Sequence, residues 1–550
     1  MINYYIISNA SRAANYGIGT YTCQLQACLT PCADVRVSYI DMFANTQEFL
    51  KEADEVGYVH YKIPVISGNV EDEVSCKNAF YYLLQHINDE NDSSLIFHFN
   101  YFQHYYLAIM LKIAFPKCRI VLTIHYLNWC FELNGNETLF RHYISTATEG
   151  KVDKESDSRI QSVRNNFKLE RNFMSLADDV VVLSKATKNI IINDYKIHKD
   201  KLSLIYNGLD ISDIPEATEN SVDSFMGNNV KYLLYVGRLD DIKGVPYLIK
   251  AFNKLSKEDE KLHLIIVGDG DFTSCLNAAK ANWERITFTG KISKEDLRLI
   301  YPKIELGILH SFHEQCSYAA IEMMANGIPL IITDSTGLKE MLLECPSFIV
   351  PINQENFSEE EFVDTLYHTI HELISDNDKL HKVSQLVKRL YQEKYALSAM
   401  GKGYRVLLKS VNRPIFSKDL LYLIDRRVIS LIDSCPDIDT SFFGMTGIGC
   451  YIWYRICTLK DSDNKQDMSQ SLLLQEYMIY WMDWIYETIL QDETYIPSEF
   501  VDILYKIKDS DFYKTKTAVL IKLFPSRNPE NIISEEHILS NALKIFNCMI

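Results

Sequence analysis

The 550-residue sequence predicts an α/β chain with two doubly wound domains facing a cleft, followed by an all-α C-terminal extension. Three observations lead there. Short apolar runs alternate with helix-patterned stretches, and this alternation occurs twice. A polar stretch, "DISDIPEATENSVDSFMGNN", separates the two series. From residue 415 the strand-like runs cease and only helical spacing remains. Strands alternating with helices give βαβ units and a parallel sheet. The domains are placed at 1–208 and 230–414, with a linker at 209–229 and the helical extension at 415–550.

The first series runs "YYIIS" (4–8), "VRVSYI" (35–40), "LIFHFN" (95–100), "RIVLTIH" (119–125), "DVVVLS" (179–184) and "KLSLIYNG" (201–208). "QHYYLAIMLKIAF" lies between the third and fourth runs and has helical spacing. "STATEGKVDKESDSRIQS" (145–162) is a polar insertion. The second series runs "YLLYVG" (232–237), "HLIIVG" (263–268), "ITFTG" (286–290), "LGILHS" (306–311), "PLIIT" (329–333) and "FIVPI" (348–352). In such sheets ligands bind beyond the carboxyl ends of the strands. The extension opens with "DLLYLIDRRVISLIDS", a helical pattern.

A net charge of -17 argues against a general nucleic-acid binder, which needs a basic footprint. Thirteen cysteines without a CxxC pair read as reduced core thiols rather than a disulfide frame. "MINYYIISNA" lacks the basic and apolar regions of a signal peptide, and no uncharged apolar run is long enough to cross a membrane. A cytoplasmic location is expected.

Against that acidic background, "YVGRLDDIKG" sets two cations, Arg238 and Lys243, just beyond Gly237 at a strand end. A guanidinium fork and a compact ammonium suit a diphosphate, although the pair also fits a solvated surface bridged to Asp240 and Asp241. In "HEQCSYAAIEMMANGIP", Glu314 and Glu322 are separated by seven residues. A helix start near Cys316 and Ser317 exposes N–H groups that attract anions, while Glu322 is placed to reach ribose hydroxyls. Gly17 and Gly19 open the first helix and admit a ligand close to the backbone. The dinucleotide fingerprint needs a third glycine where Thr22 stands, so a nicotinamide cofactor is disfavoured. His125 ends a buried strand, facing the cleft or serving as a structural hydrogen-bonder. Asp269-Gly270-Asp271 and the pair His310 and His313 are weak metal signals, and no metal site is expected.

Taken in order, "ADDVVVLSKATKNII", "KLSLIYNGLD", "VGRLDDIKG", "IIVGDG", "ITFTG" and E-x7-E followed by "NGIP" resemble the retaining glycosyltransferases of the GT4 type, over about residues 1 to 400. That resemblance implies a GT-B fold, two Rossmann-like domains, and transfer of a sugar from a nucleoside-diphosphate donor without a metal or other cofactor. It places Arg238 and Lys243 on the diphosphate, Glu314 near the donor sugar, Glu322 on the ribose, Gly17 and Gly19 in the first loop, and His125 by the reacting sugar. The base would lie near Gly268 and the loop after Gly290, and Glu340 of "STGLKE" would be structural. The expected partners are a nucleotide sugar and an acceptor glycan, lipid-linked glycan or peptide, with the extension a candidate homo-oligomer interface or peptide-docking module. Two departures stand out: Gln315, Cys316 and Ser317 replace the family's Pro-Phe-Gly, and the arginine after the first glycine loop is absent. The competing readings are a nucleotide-sugar epimerase on the same fold and a non-catalytic nucleotide-sugar or peptide scaffold.

Overall fold

The computed structural model describes residues 1–9, 16–65, 72–87, 94–115, 118–145, 154–211, 226–227, 229–354 and 356–409. The expected helical extension, and most of the expected linker, lie outside the described residues.

The first sheet is built from β1 (Ile2–Asn9), β2 (Val35–Ala44), β3 (Leu50–Ala53), β4 (Val59–Pro64), β5 (Ser94–Phe99), β6 (Arg119–Ile124), β7 (Asp179–Val182) and β8 (Leu202–Leu204). Their order across the sheet is β3-β4-β2-β1-β5-β6-β7-β8. All neighbours are parallel except the edge pair β3 and β4. The central strands are buried on both faces, as β6 shows along its whole length, so they read as unbroken apolar runs. The edge pair escapes that pattern because β3, "LKEA", is mostly exposed.

The second sheet holds β9 (Lys231–Val236), β10 (Leu262–Val267), β11 (Ile286–Gly290), β12 (Ile304–Leu309), β13 (Leu330–Thr333) and β14 (Ile349–Val350). Its order is β11-β10-β9-β12-β13-β14, all parallel. Strand order reverses between β9 and β12, so the loops after these two strands part to opposite faces and leave a crevice between them.

Two features differ from the sequence expectation. Residues 154–162 of the polar insertion begin a helix, Lys154–Leu176, that carries the buried Glu170 and Phe173. The helix Leu397–Lys409, assigned by chain position to the second domain, packs on the first. Its Tyr404 hydroxyl meets that of Tyr21 on the helix Gly17–Leu29, and Arg119 donates to the Leu407 carbonyl at 2.8 Å. The two passages of chain between the domains pair with each other. Leu209 N–H donates to the Tyr395 carbonyl and Leu397 N–H donates to the Leu209 carbonyl, both at 3.0 Å. No described helix is long and apolar enough to cross a membrane.

Candidate active site

The crevice between β9 and β12 sets the site. After β9, the chain runs through Gly237 and Arg238 into a short turn, Asp241–Lys243, then Gly244 and the helix Val245–Leu255. After β12 it runs from His310 to Ser317 and into the helix Tyr318–Ala325. The loops are tied together: Phe312 N–H donates to the Ile242 carbonyl at 2.8 Å, and His310 Nε2 donates to the Gly244 carbonyl at 2.8 Å. The buried Tyr235 hydroxyl donates to the Arg238 carbonyl at 2.8 Å and fixes the first residue of its loop. Arg238 pairs with Asp240 at 2.6 Å. Lys243 pairs with Glu314, so the cation and carboxylate expected to serve one donor face each other across the crevice.

Three glycines form a row at the ends of β9, β10 and β11. Gly237 N–H donates to Val267, and Gly268 N–H to Gly290, at 3.0 and 2.9 Å. Gly268 has φ +142°, and a Cβ there would lie 1.8 Å from the Gly237 carbonyl oxygen. Only glycine lets the adjacent backbones approach this closely. Asp271 caps the helix Phe272–Ala279 by accepting from Thr273 and Ser274 N–H. Asp269 accepts from the Tyr16 hydroxyl. Both aspartates thus have structural partners.

At the helix Tyr318–Ala325, Ser317 accepts from Ala320 N–H and caps the first turn. Cys316 is buried, which pushes its thiol up to about 12, and its carbonyl accepts from Asn207 at 2.7 Å. It acts here as packing and backbone rather than as a thiolate. Glu322 accepts from the Tyr301 hydroxyl at 2.9 Å. Burial raises its carboxyl above the usual range, opposed by that hydrogen bond and by Lys294 and Arg298.

His125 stands at the end of β6, its ring 4.5 Å from that of Tyr21. Its Nε2 lies 3.0 Å from Asn100 Oδ1, and Asn100 Nδ2 donates to the Ile7 carbonyl, which fixes the amide and leaves Oδ1 as acceptor. Burial lowers His125 to about 3, so it is neutral and donates through Nε2. A buried chain of polar side chains backs it: Tyr4 to His98 and His98 to Thr123, both at 2.6 Å, then Thr123 to Tyr21 at 2.8 Å.

A cavity of about 670 Å³ runs between the two domains. Gly17, His125, Gly237, Arg238, Lys243, Gly268, Glu314, Cys316, Ser317 and Glu322 all line it. Gly19 and Gly290 do not themselves line it, although their neighbours Ile18, Thr20, Lys291 and Ile292 do. The Gly19 carbonyl accepts from Thr22 Oγ1 within the helix, and the Gly290 carbonyl is taken by Gly268 N–H. His313 is also lowered to about 4 by burial, bonded to Thr336 at 3.0 Å.

Several contacts that shape the site carry no signal in local sequence. Gln315 donates to His313 Nε2 at 3.4 Å and accepts from Thr187 Oγ1 of the first domain. The departure from Pro-Phe-Gly therefore inserts a bond between the domains. Lys291 sits 4.9 Å from the centre of the Tyr16 ring, and Lys294 reaches Thr20 at 3.3 Å. Glu340 accepts from Ala186 N–H at 2.6 Å, a structural link between the domains.

Two family profiles match this chain, "Glycosyltransferase Family 4" over residues 17–213 and "Glycosyl transferases group 1" over residues 217–389, together more than half of it. The chain belongs to the group 1 glycosyltransferases. This glycosyltransferase is 24% identical over 357 residues to the O-antigen chain mannosyltransferase RfbU of Salmonella typhimurium, covering 64% of this chain and 88% of the relative. It is 29% identical over 198 residues to the mannosylfructose-phosphate synthase of Agrobacterium fabrum, covering 32% of this chain and 44% of that one. Its fold is that of the sucrose-phosphate synthase of Thermosynechococcus elongatus, with TM-score 0.57, 18% identity, and coverage of 75% of this chain and 100% of the other. Anabaena HepE in complex with UDP and glucose gives TM-score 0.54 at 14% identity, with coverage of 75% and 100%. The transferase thus has the two-domain GT-B architecture, with the site residues above lining the cleft between the domains.

Proposed function

We propose that this glycosyltransferase moves a hexose from a nucleoside-diphosphate sugar to an acceptor hydroxyl, with retention of configuration and without a metal or other cofactor. The observation that carries the reading is the convergence of Arg238, Lys243 and Glu314 with the start of the helix Tyr318–Ala325 in one cavity, opposite His125. The solved complex of HepE with UDP and glucose, on the same fold, supports a nucleotide-sugar donor.

When the bond between the anomeric carbon and the β-phosphate oxygen breaks, negative charge grows on the phosphate. Arg238 and Lys243 supply fixed positive charge there, and charge placed where it develops is usually the largest catalytic contribution. The donor phosphate competes with Glu314 for Lys243 and with Asp240 for Arg238. The released Glu314 carboxylate is then available to the donor sugar's hydroxyls. The acceptor oxygen bonds to the anomeric carbon on the face the phosphate leaves, and its proton passes to a phosphate oxygen. Neutral His125, its Nε2 proton given to Asn100, keeps Nδ1 as a hydrogen-bond acceptor and adds no charge.

The test is thermal unfolding of the full chain against UDP-, GDP- and ADP-sugars, with and without EDTA, followed by NMR of the product's anomeric proton. A rise in Tm specific to one base, indifferent to EDTA, and a product with the donor's anomeric configuration are expected. An inverted product would overturn retention, and loss of the rise in EDTA would overturn the metal-free reading.

A further inference from the structure

We infer that the first-domain wall of the cleft is an acceptor site for an uncharged saccharide ring, presented as the end of a longer glycan. This rests on the transferase reading above and names its acceptor class. The wall is made by Tyr101, Gln103, Tyr126, Asn128 and Phe131, all lining the cavity that also holds Arg238 and Lys243. Phe131 is 45% exposed, at the end of this wall. Its ring meets that of Tyr126 edge to face, with centroids 5.5 Å apart.

The wall is held in place from behind. Asn128 N–H donates to the buried Glu170 carboxylate at 2.6 Å. Trp129, next in the chain, stacks on Phe140 with centroids 4.5 Å apart and 13° between planes. Phe102 backs Tyr126 at 6.3 Å. The one-turn helix Trp129–Glu132 that carries Phe131 is thus fixed on its buried side, and Glu132 is turned to Ser162 and Asn166 at 3.0 and 2.8 Å.

A sugar ring carries C–H groups on its faces and hydroxyls around its edge. Aromatic faces are negative and attract the C–H patches. The Gln103 amide offers both donor and acceptor, the complement of paired hydroxyls, while the Asn128 side chain is held by the buried Glu170 behind the wall. An acyl chain on the same wall would bury the Gln103 amide against hydrocarbon, at a cost. Exposed Phe131 gives the following sugar units a surface to leave along.

The experiment uses the full chain with the nucleoside diphosphate that raises its Tm. Methyl glycosides of glucose, galactose, mannose and N-acetylglucosamine are presented in saturation-transfer NMR, beside glucose 6-phosphate and mannose 6-phosphate. We expect saturation of ring C–H protons in at least one neutral glycoside. We expect Phe131→Ala or Tyr126→Ala to weaken that glycoside about tenfold, the equivalent of about 1.4 kcal/mol, while the nucleotide's Tm rise persists. Tyr126→Phe keeps the ring and should restore binding. Preference for a hexose phosphate, unchanged binding in both alanine variants, or no saturated glycoside in a chain that the nucleotide stabilises would each overturn the inference. A wild-type chain that no nucleotide stabilises is the separate result that sinks the transferase reading, and this inference with it.

Discussion

Lys243 and Glu314 form an ion pair across the crevice where strand order in the second sheet reverses. Each neutralises the other until a donor arrives. Lys243→Ala removes a phosphate partner and leaves Glu314 an uncompensated carboxylate beside the incoming diphosphate. Steady-state transfer should fall on the order of 10²- to 10³-fold in kcat, as for loss of one preorganised donor, and the nucleotide-sugar Tm rise should vanish. Arg238→Ala should act in the same direction. A retained Tm rise in both variants would remove these residues from the donor site.

The glycine row gives a contrast between stability and binding. Gly268→Ala forces a Cβ into the Gly237 carbonyl oxygen, so differential scanning calorimetry should show a loss of at least about 1–3 kcal/mol, the scale of backbone strain. Gly17 has nothing within 4 Å of an added Cβ. Gly17→Ala should therefore keep stability or raise it by up to about 1 kcal/mol and yet weaken donor binding, because the new methyl occupies ligand space in the cleft. Unchanged donor affinity in Gly17→Ala would take this glycine out of the site.

Gln315 and Thr187 bond across the domain interface, and both are buried. Alanine at Gln315 takes the acceptor from the buried Thr187 hydroxyl proton, and alanine at Thr187 leaves Gln315 Oε1 only the longer 3.4 Å contact with Ser184 Oγ. A double-mutant cycle on unfolding should give a coupling of about 0.5–1.5 kcal/mol. Strict additivity would show that the bond carries no stability.

Glu170 is fully buried, and desolvation raises its carboxyl to about 7 despite bonds from Asn128 N–H and Tyr195. A carboxyl raised on folding stabilises the protein below its unfolded value near 4.5, and that contribution is lost as pH rises through about 7. The wild-type chain should lose about 3 kcal/mol over this window relative to Glu170→Gln, at 1.36 kcal/mol per pH unit. Denaturant titrations of both proteins at several pH values measure it. Parallel pH curves would assign Glu170 an ordinary carboxyl.

His125 and His313, lowered to about 3 and 4 by burial, stay neutral above pH 5. The pH–rate profile of transfer should lack a limb near 6.5 from either. A limb at that pH that disappears in His125→Gln would show His125 exchanging protons during turnover.

The strands of both sheets were legible because parallel strands buried on both faces must be apolar throughout. The cleft residues were legible for a related reason: Gly237, Arg238 and His125 follow directly on such strands, and strand ends are where ligands sit. What sequence could not show depends on partners far along the chain. Tyr16 meets Asp269, Thr187 meets Gln315, and Tyr21 meets Tyr404, each across more than a hundred residues. β3 was hidden because its exposed side chains break the apolar pattern, and β4, "VHYKIP", because His60 and Lys62 interrupt its apolar residues. Gly19 and Gly290 stand just off the cavity wall beside residues that line it, and sequence could not show this because a glycine in a loop marks backbone freedom without saying whether ligand or neighbouring chain uses it.

The helix Leu397–Lys409 completes the first domain from the far end of the second. The first domain is therefore not a contiguous stretch of sequence. Domains generally fold in order during synthesis, but a ribosome that has released residues 1–208 has not yet made Tyr404 or Leu407. Tyr21 and Arg119 must wait for their partners until the whole donor half has been translated. A fragment ending at residue 208 should expose the face of the helix Gly17–Leu29 and aggregate, and supplying residues 397–409 in trans should rescue it.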